Sequence, residues 1–257
     1  MAANNNFDIF SLSNINISYS DPRQIRDFIL KELLLLQSKP VHIVTFNLDF
    51  YRIALENTGF YDLCKNADII FPDGAGITSL IKLIYNRSIK RITGSDLLDI
   101  ILLLSEQKPF KLALVGSSET ALKIIRQKIT INFPNVNLVN TISPPMFFEE
   151  DLVENMKIVC KLKDSNPDIL LVALGCPRQE MWISKYKDEI GAKINIGIGG
   201  VFDFYSGLKI RSPQLLQDIG LEWLWRLSCD PVRLYKRYLI YDCPFYIKMV
   251  MKALFNS

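Results

Sequence analysis

The sequence holds one histidine, His42, and no Cys-x-x-Cys pair. Ser-His-Asp and Cys-His nucleophile systems need an imidazole beside the nucleophile. His42 lies inside an apolar run that reads as a strand, where a satisfied core histidine is the commoner outcome than a catalytic or metal-binding one. The five cysteines, Cys64, Cys160, Cys176, Cys229 and Cys243, are odd in number and widely spaced. That argues against a disulfide framework and a zinc site and fits a reducing cytoplasm; each is expected as a small buried apolar residue. There is no GxxxxGK[ST], which removes the usual P-loop nucleotidase, and no ordered GxGxxG. Asp-x-Asp, with which many nucleotide-sugar enzymes hold a metal on the diphosphate, is also missing, so no metal site is expected. No run of 18 uncharged apolar residues occurs, so nothing is expected to span a bilayer. The Leu33 to Leu36 run is hemmed in by Lys31, Glu32 and Lys39-Pro40 and is expected as part of a core-facing helix. The opening MAANNNFDIF has neither a basic start nor an apolar run, unlike a signal peptide. Thirty basic residues against 27 acidic ones leave +3, too little for wholesale nucleic-acid binding.

What is present is apolar residue in quantity, 49% of 257, enough for a full core. From about residue 21 to 200, short apolar runs alternate with helical periodicity. Strands are predicted at Val41–Phe46, Ala67–Phe71, Lys111–Val115, Val136–Asn140, Ile169–Leu174 and Lys193–Ile198. Helices are predicted near 48–58, 76–86, 96–107, 118–132, 149–164 and 178–188, with starts at Asp21-Pro22 and Ser118. This alternation implies an α/β fold, a mainly parallel Rossmann-like sheet with helices on both faces. Beyond about residue 205 the pattern turns helical, near 212–228 and 231–254, broken at Asp230-Pro231. The expected division is therefore an α/β catalytic domain, 1–205, and a C-terminal helical appendage, 206–257.

Parallel sheets bind ligands at the carboxyl ends of their strands. Polar or glycine-rich segments follow five of the predicted strands: Thr45-Phe46-Asn47, Pro72-Asp73-Gly74-Ala75-Gly76, Gly116-Ser117-Ser118, Gly175-Cys176-Pro177-Arg178-Gln179-Glu180 and Gly199-Gly200-Val201-Phe202-Asp203. Asp73 is a carboxylate on a glycine-rich turn and could serve as a general base; Asp-Gly as a plain turn former is the commoner use of the pair. Gly116-Ser117-Ser118 opens a helix whose free N–H groups could hold a phosphate. If the chain acts on a nucleotide sugar without a metal, charge on the departing diphosphate falls to backbone dipoles and arginines, with Arg91, Arg178 and the C-terminal arginines as candidates. The last 27 residues carry five basic residues against Asp242 as the one acid. Among them stand Tyr235, Tyr238, Tyr241, Phe245, Tyr246 and Phe255. Such a helix suits an anionic membrane interface, or packs on the body through its aromatic side, or does both. Arg226, Arg233 and Arg237 could also grip a diphosphate in paired geometry.

The sequence resembles the WecG/TagA/CpsF glycosyltransferases, glycosyltransferase family 26. Besides the segments above, the matching stretches are Ala67-Asp68, Arg91-Ile92-Thr93-Gly94-Ser95-Asp96, Gly207, Arg211-Ser212-Pro213, and Gly220-Leu221-Glu222-Trp223-Leu224-Trp225-Arg226 with Pro231, Arg233 and Arg237. They occur in the family's order across roughly residues 40–240. The resemblance implies an inverting, metal-independent transfer of an N-acetylhexosamine-type sugar, such as N-acetylmannosamine or its uronic acid, from a UDP-sugar. The implied acceptor is a polyprenyl-diphosphate-linked sugar, and the products feed teichoic acid, capsule or other surface polysaccharide. By matched position Asp73 takes the base role, Thr45, Asn47, Arg91 and Gln179 take active-site positions, and Arg226, Arg233 and Arg237 reach the lipid diphosphate. No cofactor is implied, and a cytoplasmic protein peripheral at the inner face of the membrane is expected through the C-terminal segment. Thr-Phe-Asn stands where the family usually has Thr-Pro-Asn, and Arg-Ser-Pro where it has Arg-Ala-Pro. A glycine common before the aromatic pair near 147 is replaced within Ser143-Pro144-Pro145-Met146. A dinucleotide-binding oxidoreductase and a non-catalytic membrane-associated binding protein are the alternatives; the first lacks its fingerprint, and Asp73, Arg91 and Gln179 speak against the second. A homo-oligomer, the sugar and the polymer are left open.

Overall fold

The computed structural model describes residues 7–36 and 39–255; residues 1–6, the start of the segment read as unlike a signal peptide, lie outside them. The chain opens with an antiparallel hairpin, β1 (Asp8–Leu12) and β2 (Ile15–Tyr19), which the reading from residue 21 passes over. Ser13 and Asn14 both take positive φ, 49° and 63°, in the two-residue turn whose twist suits paired strands. Phe10, Leu12, Ile15 and Ile17 all face inward.

Six strands then form one parallel sheet: β3 (Val41–Phe46), β4 (Ile69–Pro72), β5 (Phe110–Gly116), β6 (Val136–Ile142), β7 (Ile169–Ala173) and β8 (Ile194–Gly197), in the order β4-β3-β8-β7-β5-β6. Side chains alternate between its faces. Ile43, Ile69, Phe71, Leu112 and Leu171 pack toward α1 (Pro22–Leu34), α5 (Gly94–Leu104), α6 (Glu119–Asn132) and α9 (Val201–Ser206). The helices on the other face are α2 (Leu48–Glu56), α3 (Thr58–Asn66), α4 (Ala75–Tyr85), α7 (Leu152–Ser165) and α8 (Arg178–Ile190). Val44, Phe46 and Ile70 meet the hairpin and α2, α3 and α4, while Val115, Leu170 and Val172 meet α7 and α8. Cover on both faces explains why these strands read as unbroken apolar runs. Asp21 and Gln24 form a reciprocal cap on α1, and Ser118 caps α6 through the Ala121 N–H.

Four expectations need correction. The helix predicted near 48–58 is α2, which ends at Glu56; Asn57 follows it, and its side chain caps the unpredicted α3 at the Phe60 N–H. Only Leu33 of the leucine run is core, at 1% exposure; α1 ends at Leu34, and Leu36 stands 98% exposed. Cys64 is buried, but Cys160 and Cys229 are exposed on helix surfaces. The stretch predicted over 212–228 is also two helices, α10 (Gln214–Asp218) and α11 (Glu222–Cys229), turned by Gly220 at φ +77°.

The last helical run comprises α12 (Pro231–Tyr235), a π-helical stretch over Lys236–Asp242, and α13 (Cys243–Phe255). It packs against α2 and α4 through its aromatic side. Phe245 meets Tyr51 edge to face with centroids 5.3 Å apart, the Tyr246 and Ser79 hydroxyls are 2.9 Å apart, and Met249 is buried. Ile247, Met251 and Phe255 remain exposed on the outside. Among the described residues no helix is long and apolar enough to cross a membrane.

Candidate active site

Strand register builds the site. Phe46 and Pro72 end adjacent strands in register, so the residues that follow, Asn47 and Asp73, emerge side by side at the carboxyl edge. The Asp73 N–H donates to the Phe46 carbonyl at 2.8 Å. The Ile92 N–H donates to the Pro72 carbonyl at 2.7 Å, which brings Arg91 alongside. Gly74, at φ +82°, turns the chain into α4, whose first turn no side chain caps. Above it the turn between α10 and α11 comes so close that a Cβ on Gly220 would lie 2.8 Å from that of Ala75. Between these elements lies a cavity of about 430 Å³, walled by Asp73, Asn47, Arg91, Glu222, Arg226 and Arg237.

The charges around it are arranged in two groups. In the first, Glu222 accepts from both Arg91 and Arg226, and Arg91 also donates to Gln217 Oε1 at 2.9 Å. Burial opposes ionisation of Glu222, but Arg226 and Arg91 outweigh it and hold its pKa low. Arg226 lies over the Phe204 ring at 5.2 Å. In the second, Arg237 forms ion pairs with Asp49 at 3.1 Å and Asp242 at 3.6 Å and donates to Asn47 Oδ1 at 3.5 Å. Arg52 holds the other oxygen of Asp49 at 2.6 Å. Among the described residues no hydrogen bond reaches the Asp73 carboxylate. Its pKa is pushed up to about 6, chiefly by burial; Arg226 and Arg91 oppose the rise, while Glu222 and Asp96 add to it. A carboxylate poised near neutrality and left without a partner is fit to take a proton.

The structure thus gathers Asp73, Asn47, Arg91, Arg226 and Arg237 on one cavity. Asn47 also caps α2, accepting from the Asp49 and Phe50 N–H groups. Thr45, Gln179 and Arg233 do not line it. Thr45 is buried in β3 and donates to the Gly197 carbonyl at 3.3 Å. Gln179 is buried too, and its Oε1 accepts from the Gly175 and Gly199 N–H groups, each at 3.0 Å, fastening two rim turns together. Arg233 points outward from α12 and pairs with Asp230 at 2.6 Å. Arg178 pairs with Glu149 and lies over the Phe147 ring, facing a shallow groove of about 670 Å³. That groove also reaches His42, near the amino end of β3, away from the rim where parallel sheets bind ligands. His42 is buried, and burial and Lys187 lower its pKa to about 3 against the pull of Asp68, so it is neutral. Ser118 spends its hydroxyl on its own helix, and Ser117 donates to Asp203 at 2.9 Å.

The sequence assigned no site role to Glu222, Asp49 or Asp242, although all three wall the cavity. Glu222 had a signal, since it stands four residues before Arg226 on one helix face. Asp49 and Asp242 lie far apart in sequence and meet only through the docking of the last helices. The cations that line the cavity are Arg91, Arg226 and Arg237; among the described residues no cluster of His, Cys, Asp or Glu is arranged to hold a metal ion.

The model of the glycosyl transferase WecG/TagA/CpsF family matches residues 10–257. The chain belongs to this family. Among similar proteins is an N-acetylglucosaminyldiphosphoundecaprenol N-acetyl-beta-D-mannosaminyltransferase of Bacillus subtilis (strain 168), 31% identical over 82% of this chain and 78% of that protein. Proteins of the same name occur in Bacillus spizizenii, 31% identical over 87% and 83% of the two chains, and in Staphylococcus aureus (strain NCTC 8325 / PS 47), 23% identical over 82% and 80%. This WecG/TagA/CpsF family member is accordingly a glycosyltransferase, which removes the oxidoreductase and non-catalytic readings.

Proposed function

We propose that this glycosyltransferase moves an N-acetylmannosamine-type sugar from a UDP donor to an N-acetylglucosamine carried on a polyprenyl diphosphate, with inversion and without a metal. The names of its relatives supply the sugar and the acceptor. The observation that carries the mechanism is the unpartnered Asp73 carboxylate, raised toward neutrality, in one cavity with Arg91, Arg226 and Arg237. The acceptor hydroxyl attacks the anomeric carbon from the face opposite UDP. Its proton passes to Asp73, the bond from the anomeric carbon to the phosphate oxygen breaks, and UDP departs with the electron pair. Arginines and the uncapped first turn of α4 meet the charge that develops on UDP. Thr45 and Gln179 act by holding the rim in shape, and Asn47 by orienting Arg237.

The last helices serve as the membrane contact. Ile247, Met251 and Phe255 face outward, and Arg233, Lys236, Lys248 and Lys252 lie on the same run. Basic residues near an anionic leaflet contribute about 1 kcal/mol each. The enzyme therefore works at the cytoplasmic face, where UDP-sugars and the lipid acceptor meet, with Arg233 directed to headgroup phosphate. UDP release is to be measured with and without a short-chain polyprenyl diphosphate acceptor, and product identified by mass over a panel of UDP-sugars. Asp73→Asn is expected to lose about 10²- to 10⁴-fold in turnover with an unchanged melting temperature or a higher one. Undiminished turnover would reject Asp73 as the base.

A further inference from the structure

We infer that Glu222 is a positioning residue for the transfer: its carboxylate, shared by Arg91 and Arg226, fixes both guanidiniums beside Asp73 and cancels part of their charge. The inference rests on the reading of Asp73 as the base. Three observations support it. Glu222 is 7% exposed, yet it walls the same cavity as Asp73. Its two oxygens are divided, one to Arg91 and one to Arg226. The partners come from segments far apart in the chain: Arg226 from one turn along α11, and Arg91 from the segment before α5. Gln217 takes the second branch of Arg91 and is itself tied to the Ser212 carbonyl at 2.7 Å, so the clamp is anchored at both ends.

A carboxylate between two guanidiniums is a local stand-in for a phosphate. It keeps two long, flexible side chains in one arrangement before substrate arrives, so less ordering remains to be done on binding. It also sets the charge that Asp73 feels. The groups facing Asp73 are Arg226 and Glu222 from α11, Arg91 from the preceding segment, and Asp96 from the first turn of α5. Asp49, Arg237 and Asp242 stand across the same cavity. With Glu222 neutral, Arg91 and Arg226 act on Asp73 uncompensated and favour its ionised form. With Arg226 neutral, the balance tips the other way.

The test is the pH dependence of kcat/KM for the full chain, with UDP-N-acetylmannosamine and a short-chain polyprenyl diphosphate N-acetylglucosamine. Glu222→Gln is expected to move the acid limb down by about one unit, the usual scale for one neighbouring charge, and to lower kcat because the base is weaker. Glu222→Asp, which keeps the charge, should restore the limb. Arg226→Gln should move it up. Opposite shifts from two partners of one ion pair are not produced by loss of stability. An acid limb unmoved in folded Glu222→Gln overturns the inference. If that variant does not fold, an unmoved limb in Arg226→Gln overturns it. Asp73→Asn run in parallel separates the two claims: if it is inactive while the limb stays fixed, only the role of Glu222 fails; if it is active, the base assignment fails.

Discussion

Glu180 is fully buried at the start of α8. One oxygen accepts from Gln179 at 2.6 Å, and the other has no partner among the described residues. Burial raises its pKa to about 7, against the lesser pull of the Gln179 amide and its own backbone. A folded value above the unfolded 4.5 means that the contribution to stability is complete below about 4.5 and is lost as pH rises through 7. The full difference is about 3 kcal/mol. Glu180→Gln is therefore expected to melt close to the parent at pH near 5 and well above it at pH near 8. A gap in melting temperature that does not change with pH would disprove the titration. Asp73 is raised in the same direction, and in the proposed mechanism that cost to the fold yields a base that works near neutrality. The place of Asp73 was legible in the sequence, because a glycine-rich turn directly after an apolar strand lies at the sheet's edge, whereas the pattern alone favoured a plain turn and the base role came from the family resemblance. The inward burial of Thr45 and Gln179 was not legible, because it depends on which neighbours cover β3 and α8. Nor was the division of Glu222 between two arginines, one of them from a segment that only the fold brings near.

The elements themselves were largely written in periodicity, and the misses have local causes. Phe10 and Leu12 alternate toward the core on one side of Ser13-Asn14, and Ile15 and Ile17 on the other, which is a hairpin pattern. The pattern is faint in the sequence because the turn lacks glycine; Asn14 supplies one left-handed residue and Ser13 the other. Asn57 shows that a single residue can end one helix through its backbone N–H and start the next through its side chain, without a proline or glycine to mark the break. The docking of the last helices could not be read from sequence, since an aromatic stripe serves a protein surface and a lipid surface equally. Gly220 belongs to this scale, because it decides how closely the turn between α10 and α11 approaches α4. A side chain there takes a left-handed backbone costing about 1–2 kcal/mol and presses on Ala75. Gly220→Ala is expected to speed hydrogen exchange over residues 214–229 and raise KM for the acceptor, as Glu222 and Arg226 withdraw from Asp73. The sheet amides should be unaffected. Faster exchange throughout the sheet would show that the turn supports the whole fold rather than the cavity.

For the whole molecule, the net charge of +3 matters less than where charge and apolar surface coincide. The aromatic side of the last run is spent on α2 and α4, through Phe245 on Tyr51 and Tyr246 on Ser79. Its other side keeps Ile247 and Met251 exposed, one helical turn apart, beside Lys248 and Lys252. Apolar side chains in the headgroup region and lysines over anionic lipid act together, and only the second effect weakens with salt. The full chain should therefore bind vesicles containing phosphatidylglycerol more tightly than neutral ones, with a preference that shrinks as salt rises. Ile247→Glu with Met251→Glu should abolish binding to both, since it removes the inserting stripe and adds two like charges. Neither residue walls the cavity. Turnover with a soluble short-chain acceptor should then be unchanged, while turnover with a long-chain acceptor held in vesicles falls. Equal losses on both acceptors would mean that the stripe supports the fold. Binding retained by the double variant would mean that another face meets the lipid.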